Sequence, residues 1–439
     1  MTANRIVLAE YFTTDDVTLL FGVRADWEEP KVVEIKRPLS DIRSFVTKHF
    51  GPNVSGGESI RSLNLDEWQD TFGEFIDPIK EWADPSDYLY LVPHDALHYL
   101  PLHTLKLEEQ YLIERNPVLY TPSASVLKYC QAKRKGQRNR ALVLGDSYED
   151  LVHARAEALA VAQAFGTKAY LGQAAQKSLV QNQLQENKET IDVLHFACHG
   201  RFHHSQPLKS GILMAAEENG EEPLEYESKL GDLPVSRYLT AEDFFGMEMQ
   251  ADLVTLSACE SGVSDIRPGD ELFGLMRALI YAGTPSVVMS LWKVDQISSS
   301  IFMQTFYQAL KEPKATKVEA LQTAQLALKE MTAHEALDYC QATIDLLQTS
   351  EEDAAVHALT EDMADLHYQA GNYTEAIKIY ESLLDELDAE AEADRYRALD
   401  VALTRCEMLT GQSAKPDYKR QVYSHPFHWA PFILVGDWQ

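Results

Sequence analysis

Five short, largely apolar runs punctuate the chain: Tyr88 to Val92, Ala141 to Gly145, Val193 to Ala197, Leu253 to Ser257 and Ser286 to Leu291. Runs with so few polar residues cannot present one face to water. They read as strands covered on both sides, the habit of a mostly parallel sheet in an α/β domain. Segments of helical period lie between them, notably Val152 to Phe165 and Glu271 to Ala282, the second closed by Gly283, Thr284 and Pro285. A further apolar run, Pro431 to Val435, predicts one more strand returning to the same sheet.

Ahead of these strands the pattern differs. Arg5 to Phe12, Val17 to Val23 and Lys31 to Ile35 alternate apolar and polar residues and predict an antiparallel meander. Helical period then covers Ser40 to Phe50 and Leu65 to Trp82, with Ser40 and Asn64 as caps. From Met331 to about Pro416 the chain is helical throughout and acidic: residues 351–400 hold fifteen acidic and three basic side chains. Ala364, Gly371, Tyr373, Ala376 and Tyr380 fit the small-and-aromatic spacing of one tetratricopeptide hairpin, although Leu383 replaces the later small residue. One such hairpin cannot bury its own apolar face, so it is expected to pack on the main body or on a partner. Because a strand follows it, the helical block is an insertion before the last strand.

The net charge of −29 over 439 residues would repel a phosphate backbone, which argues against nucleic acid as a partner. No long uncharged apolar run exists to cross a membrane. Five scattered cysteines make no disulfide framework and the N-terminus has no basic-then-apolar leader, so a reducing cytoplasm is the expected compartment. Serine-hydrolase elbows, Walker loops and dinucleotide fingerprints are absent.

Chemistry concentrates at two strand ends. Ligands of an open α/β sheet sit beyond the carboxyl ends of its strands, where His199 and Gly200 (in VLHFACHG) and Cys259 (in LVTLSACESG) fall. A thiol near pKa 8.5 is only a few per cent thiolate at neutral pH, so a neighbouring imidazole must take its proton. His199 is the candidate base and Cys259 the candidate nucleophile, against the alternative that Cys259 is a buried structural thiol. The backbone N–H groups of Gly200 and Cys259 are candidate oxyanion donors.

These residues resemble a known family. The chain looks like a CHAT-domain protein, one of a bacterial caspase-like (clan CD) group of cysteine peptidases often coupled to tetratricopeptide repeats. The matching stretches include YLVPHDALHYLPLHTL from Tyr88, HFACHGRF from His195, PLKSGIL from Pro207, YLTAEDF from Tyr238, ADLVTLSACESG from Ala251, GDELFGLMRALIYAGTPSVVMSLWKVD from Gly269 and HPFHWAPFILVGDW from His425. The resemblance covers roughly residues 1–331 and 425–439. It implies a caspase-like sheet and places the family's dyad on His199 and Cys259. The organisation expected is an N-terminal meander with helices (1–86), a catalytic part (87–331), the acidic helical insertion (332–424) and a final strand (425–439). The implied activity is cysteine endopeptidase without cofactor, acting on a protein substrate in bacterial defence, signalling or programmed cell death, with the insertion binding a regulatory protein. The rival reading is a non-catalytic or latent scaffold that binds partners through the acidic helices.

Other residues carry weaker alternatives. Asp295, Asp270 and Trp292 are candidates to line the pocket for the residue before the scissile bond. The acids would select Arg or Lys, whereas Trp292 would make the pocket apolar. The bland reading of the acids is solvated surface or helix-start charge. Cys198 is expected to point away from His199 and serve packing, and His195 to be a hydrogen-bonded core histidine. The histidines near position 199 lack the spacing of a zinc site. Ala132 to Arg140, with five basic residues in nine, reads as an exposed connector or as a site of self-cleavage. Ala216 to Leu233 is acidic enough to be mobile.

Overall fold

The computed structural model describes residues 5–50, 60–136, 138–185, 191–201, 206–217, 233–257, 271–348, 353–388, 392–410 and 415–439. The meander forms as its alternation predicts, with β1 (Ile6–Thr13), β2 (Thr18–Arg24) and β3 (Lys31–Ile35) in antiparallel register. Helix α1 (Leu39–Phe50) follows, then α2 (Leu65–Phe72), capped by Asn64, whose side chain accepts from the Asp66 and Glu67 amides. The expected long helix to Trp82 does not persist. Gly73 opens a 3-10 turn and, after Pro78, only the single turn Ile79–Trp82 remains, because proline supplies no amide to the ladder of the preceding turn.

The parallel strands are β4 (Tyr88–Val92), β5 (Val118–Tyr120), β6 (Ala141–Gly145), β7 (Ala169–Leu171) and β8 (Val193–Ala197). A small antiparallel sheet comes next, made of β9 (Gly200–Arg201), β10 (Gly211–Leu213) and β11 (Tyr238–Thr240). The main sheet resumes with β12 (Leu253–Leu256), β13 (Ser286–Ser290) and β14 (Phe432–Gly436). Its order is β3-β2-β1-β4-β5-β14-β13-β12-β8-β6-β7. Strands β1, β4, β5 and β14 are mutually parallel, as are β13, β12, β8, β6 and β7, and the two sets meet antiparallel where β14 pairs β13. The carboxyl ends of the two half-sheets therefore lie at opposite edges. Every residue of β4, β6, β8, β12, β13 and β14 is buried, as strands with helices on both faces must be.

The helices that cover the sheet and complete the chain are α3 (Ala124–Lys133), α4 (Val152–Phe165), α5 (Lys177–Gln185), α6 (Glu271–Ala282), α7 (Gln296–Leu310) and α8 (Lys317–Glu330). Beyond them come α9 (Ala333–Gln348), α10 (Asp353–Gln369), α11 (Tyr373–Glu386) and α12 (Ala393–Leu409). Helix α10 is shared between two cores: Ala355, Leu359 and Leu366 join the main one. Ala364 joins a small separate cluster with Ala376, Tyr380, Leu383, Leu399 and Cys406. The hairpin thus rests on the body through α10, which packs on α4. No helix among the described residues is long and apolar enough to cross a membrane.

The basic connector is pinned rather than loose. Arg134 bonds Asp437 and Gln439, Lys135 bonds Gln250, and Arg138 pairs with Asp252. Lys317 is wholly buried against Asp252 at 2.9 Å, so this end of the sheet is a charge cluster, while Lys133, Lys135 and Arg140 on the connector stay exposed. Most of the acidic stretch Ala216 to Leu233 lies outside the described residues.

Candidate active site

Strand β8 ends at Ala197, and His199 projects just beyond it, 8% exposed. The neighbouring strand β6 ends at the same edge. Asp146, with φ +47°, turns the chain there; its carboxylate accepts the Leu151 amide at 2.8 Å and faces the Arg155 guanidinium at 3.2 Å. That turn sets Asp150 at the start of α4, where its Oδ1 lies 2.6 Å from His199 Nε2. The Tyr148 ring stands edge-on to the imidazole at 6.4 Å. With Nε2 committed to a carboxylate, Nδ1 is the nitrogen left for a reacting group.

A cavity of about 270 Å³ opens here, lined by Asp150 and Leu151 before α4, Glu157 on it, Cys198 and His199 just after β8, Ser257 after β12, and Lys293, Val294 and Ser299. Cys259 and Asp270 lie outside the described residues. Ser257, two positions before Cys259, holds the end of β12 in this cavity wall, its amide donating to the Phe196 carbonyl at 2.8 Å. Gly200 opens β9. The ladder hydrogen bond from the Leu213 amide reaches the His199 carbonyl, so Gly200 and Ile212 face each other as a non-hydrogen-bonded pair and the ladder does not consume the Gly200 amide.

Cys198 differs from expectation. It lines the same cavity as His199, because strand alternation stops where β8 ends, and burial pushes its thiol up to about 12, which leaves it protonated and inert. Asp295 caps α7, accepting the Ser298 amide at 3.1 Å, and its carboxylate lies 3.9 Å from His428. Trp292 is buried, its indole N–H donating to the Phe427 carbonyl at 3.2 Å. Their neighbours Lys293, Val294 and Gln296 line the cavity in their place.

Two residues at the site escaped the sequence reading, Asp150 and Glu157. Asp150 sits at a strand's carboxyl end, the same edge logic that singled out His199. Glu157 is the one carboxylate in VHARAEALAVAQAF, and a lone acid on an apolar helix was its available signal. It is 3% exposed. Its Oε2 accepts from Ser257 Oγ at 3.1 Å, and its Oε1 is 3.1 Å from His195 Nε2, yet off the line of the ring N–H, so neither atom has an aligned partner. Burial raises the Glu157 carboxyl, an effect opposed by His195 and Ser257. His195 is the core histidine expected, with Nδ1 3.2 Å from Tyr307 Oη, which in turn donates to Thr255 Oγ1 at 2.7 Å.

Among known proteins, tetratricopeptide repeat protein 28 of Homo sapiens is 24% identical over 266 residues, covering 51% of this chain and 10% of that protein. Its Mus musculus counterpart is 24% identical over 261 residues, with the same coverage. The chain spans about a tenth of the length of these relatives. Among solved structures, the Saccharomyces cerevisiae separase–securin complex aligns with a TM-score of 0.38 at 12% identity, over 58% of this chain and 16% of that one. The Arg-specific cysteine proteinase gingipain R aligns at 0.35 and 13%, over 66% and 69%. The CHAT-domain model matches residues 71–437, a span that starts before β4 and runs through the helical block into β14, and on that match the chain belongs to the CHAT-domain family.

Proposed function

We propose that the chain is a cysteine endopeptidase in which His199 takes the proton of Cys259. The thiolate attacks the peptide carbonyl to give a tetrahedral oxyanion held by the Gly200 and Cys259 amides. Collapse expels the amine, which receives the proton from His199, and water then resolves the acyl-enzyme. Asp150 holds the imidazole with Nδ1 forward and stabilises the imidazolium that forms. The observation that carries the reading is the His199–Asp150 pair at 2.6 Å on a cavity whose lining includes Ser257, two positions before Cys259 in sequence. The family resemblance supports a cytoplasmic protein substrate cut at one or few sites in bacterial defence, signalling or cell death, with the acidic helices binding a regulator.

A panel of peptidyl electrophiles carrying Arg, Asp or Leu beside the warhead tests this. Labelling of the wild type that disappears in both Cys259→Ala and His199→Ala is the expected result. Labelling unaffected by either substitution overturns the dyad, and a chain that labels with none of the panel favours the scaffold.

A further inference from the structure

Away from the cavity, the meander leaves one of its faces open to water. The ladder register puts Phe12 of β1, Leu19, Phe21 and Val23 of β2 and Val32 of β3 on the same side of the sheet. Phe12, Val23 and Val32 are 49%, 40% and 54% exposed, and Leu19 and Phe21 between them are half-buried. The reverse side of the same strands is closed, with Val7, Ala9, Tyr11 and Leu20 in the core. Single exposed apolar residues are ordinary, but a contiguous patch of them marks a surface that something covers.

The layer over this side of the sheet stops one helix short. Ile6 and Leu8 stand opposite Tyr88 and Tyr90 of β4, so the same side continues onto those tyrosines. There it is roofed: Tyr88 packs on Trp438 at 4.8 Å, and Arg134, at the end of α3, covers that tryptophan at 5.6 Å. No described residue extends the roof far enough to bury Phe12, Val23 or Val32. The bare strip is three strands, about 4.8 Å apart, which is about the width of one helix of roughly 10 Å diameter.

Charge says what kind of helix fits. Glu10 lies within the patch, facing Phe21 across the ladder, and Glu34 faces Leu19. Neither carboxylate has a hydrogen bond or an ion pair among the described residues. Asp15 and Asp16 at one turn and Glu28 and Glu29 at the other, all exposed, extend the negative field, against which the strand alternation adds Lys36 just past β3. A second copy of the chain is a poor occupant, because two such faces would set acid against acid in a molecule of net charge −29.

We infer that this face of the meander is a docking site for an amphipathic helix of a partner protein, whose apolar stripe lies on Phe12, Phe21 and Val32 and whose bordering lysines or arginines meet Glu10 and Glu34. A helix of about 18 residues, at 1.5 Å each, matches the roughly 26 Å of an eight-residue strand such as β1.

The probe is a fluorescein-labelled synthetic helix of that length with a leucine stripe bordered by lysines, titrated with the full chain by anisotropy. Two control peptides accompany it, one with glutamate for every lysine and one of identical composition with the stripe scrambled. The lysine helix should bind in the micromolar range and each control about 10-fold or more weaker. The double variant Phe12→Ser/Val32→Thr should lose about 10-fold in affinity, the scale of one to two apolar side chains returned to water. Both sites are exposed, so the fold does not depend on them. Glu34→Lys should weaken binding at low salt, and its difference from wild type should shrink at about 0.5 M salt. Binding equal to that of the scrambled peptide, or unchanged by the double variant, would place the peptide on the acidic surface at large and overturn the inference, as would no binding up to about 100 µM. Sedimentation velocity supplies the remaining outcome: a wild-type dimer that the double variant converts to monomer would assign the face to a second copy and overturn the inference, whereas a monomer supports a foreign helix.

Discussion

An imidazole serves a thiol well only when its far nitrogen is fixed, and Asp150 does this for His199 from a turn that Asp146 ties to α4. The carboxylate is 41% exposed, so its contribution is to aim the ring more than to set its charge. Asp150→Asn keeps the size and loses the acceptor pair. The expected outcome is labelling of Cys259 slowed about 10²-fold, the scale of a catalytic group misplaced by about an ångström, with the thermal midpoint within a few degrees of wild type. Stopped-flow or gel-based labelling rates check it, and an unchanged rate would remove Asp150 from the site. His199 was legible in the sequence because a histidine ending an apolar run has few structural excuses. Asp150, in the turn before α4, and Glu157, on that helix, were passed over, because an acid in a loop or on a helix reads as solvated charge unless the fold reveals what it is pressed against.

At the scale of elements, α4 bears on both the cavity and the helical hairpin. One turn from Asp150, His153 Nε2 lies 3.4 Å from Asp362 Oδ2 on α10. Burial is the main cause that pushes Asp362 up to about 8, with Asp295, Asp365 and Glu361 adding to it, and burial holds His153 down to about 4. Both are neutral at pH 7, so α10 docks on α4 without a net buried charge. For Asp362 the folded value lies above the unfolded one. Its stabilising contribution is therefore complete below about pH 4 and is lost as pH rises to about 8. Asp362→Asn should remove that loss: relative to wild type, the variant gains stability as pH rises from about 4 and the gain levels off above about 8. Urea denaturation at several pH values checks this, and a difference independent of pH would count against it. The strands and most helices were legible from period alone, and so was the hairpin from its small-and-aromatic spacing. The break after Phe72 was not read, although Gly73 and Pro78 announce it. The three-stranded sheet of β9, β10 and β11 was missed because strands of two and three residues carry no period.

At the scale of the whole molecule, the order of strands was the least legible feature. A run such as Phe432–Gly436 looks like any covered strand, and nothing in it says that it stands between β5 and β13 and joins two half-sheets of opposite direction. The seam is closely fitted. Gly436 has φ +104°, and a Cβ there would meet the Pro285 carbonyl oxygen. Gly436→Ala should therefore cost about 1–3 kcal/mol or more, read as a lower urea midpoint, with loss of near-UV circular dichroism at lower denaturant; a midpoint equal to wild type would show the seam to be tolerant. Joining the halves by a late strand also has a consequence for synthesis. Between Tyr120 and Phe432 a ribosome adds 311 residues, which at about 5–20 residues per second takes roughly 15–60 s. β5 has an unpaired edge throughout that interval and β13 for its later part, so the nascent chain depends on its helices, or on chaperones, to keep two unfinished sheets from pairing with other chains.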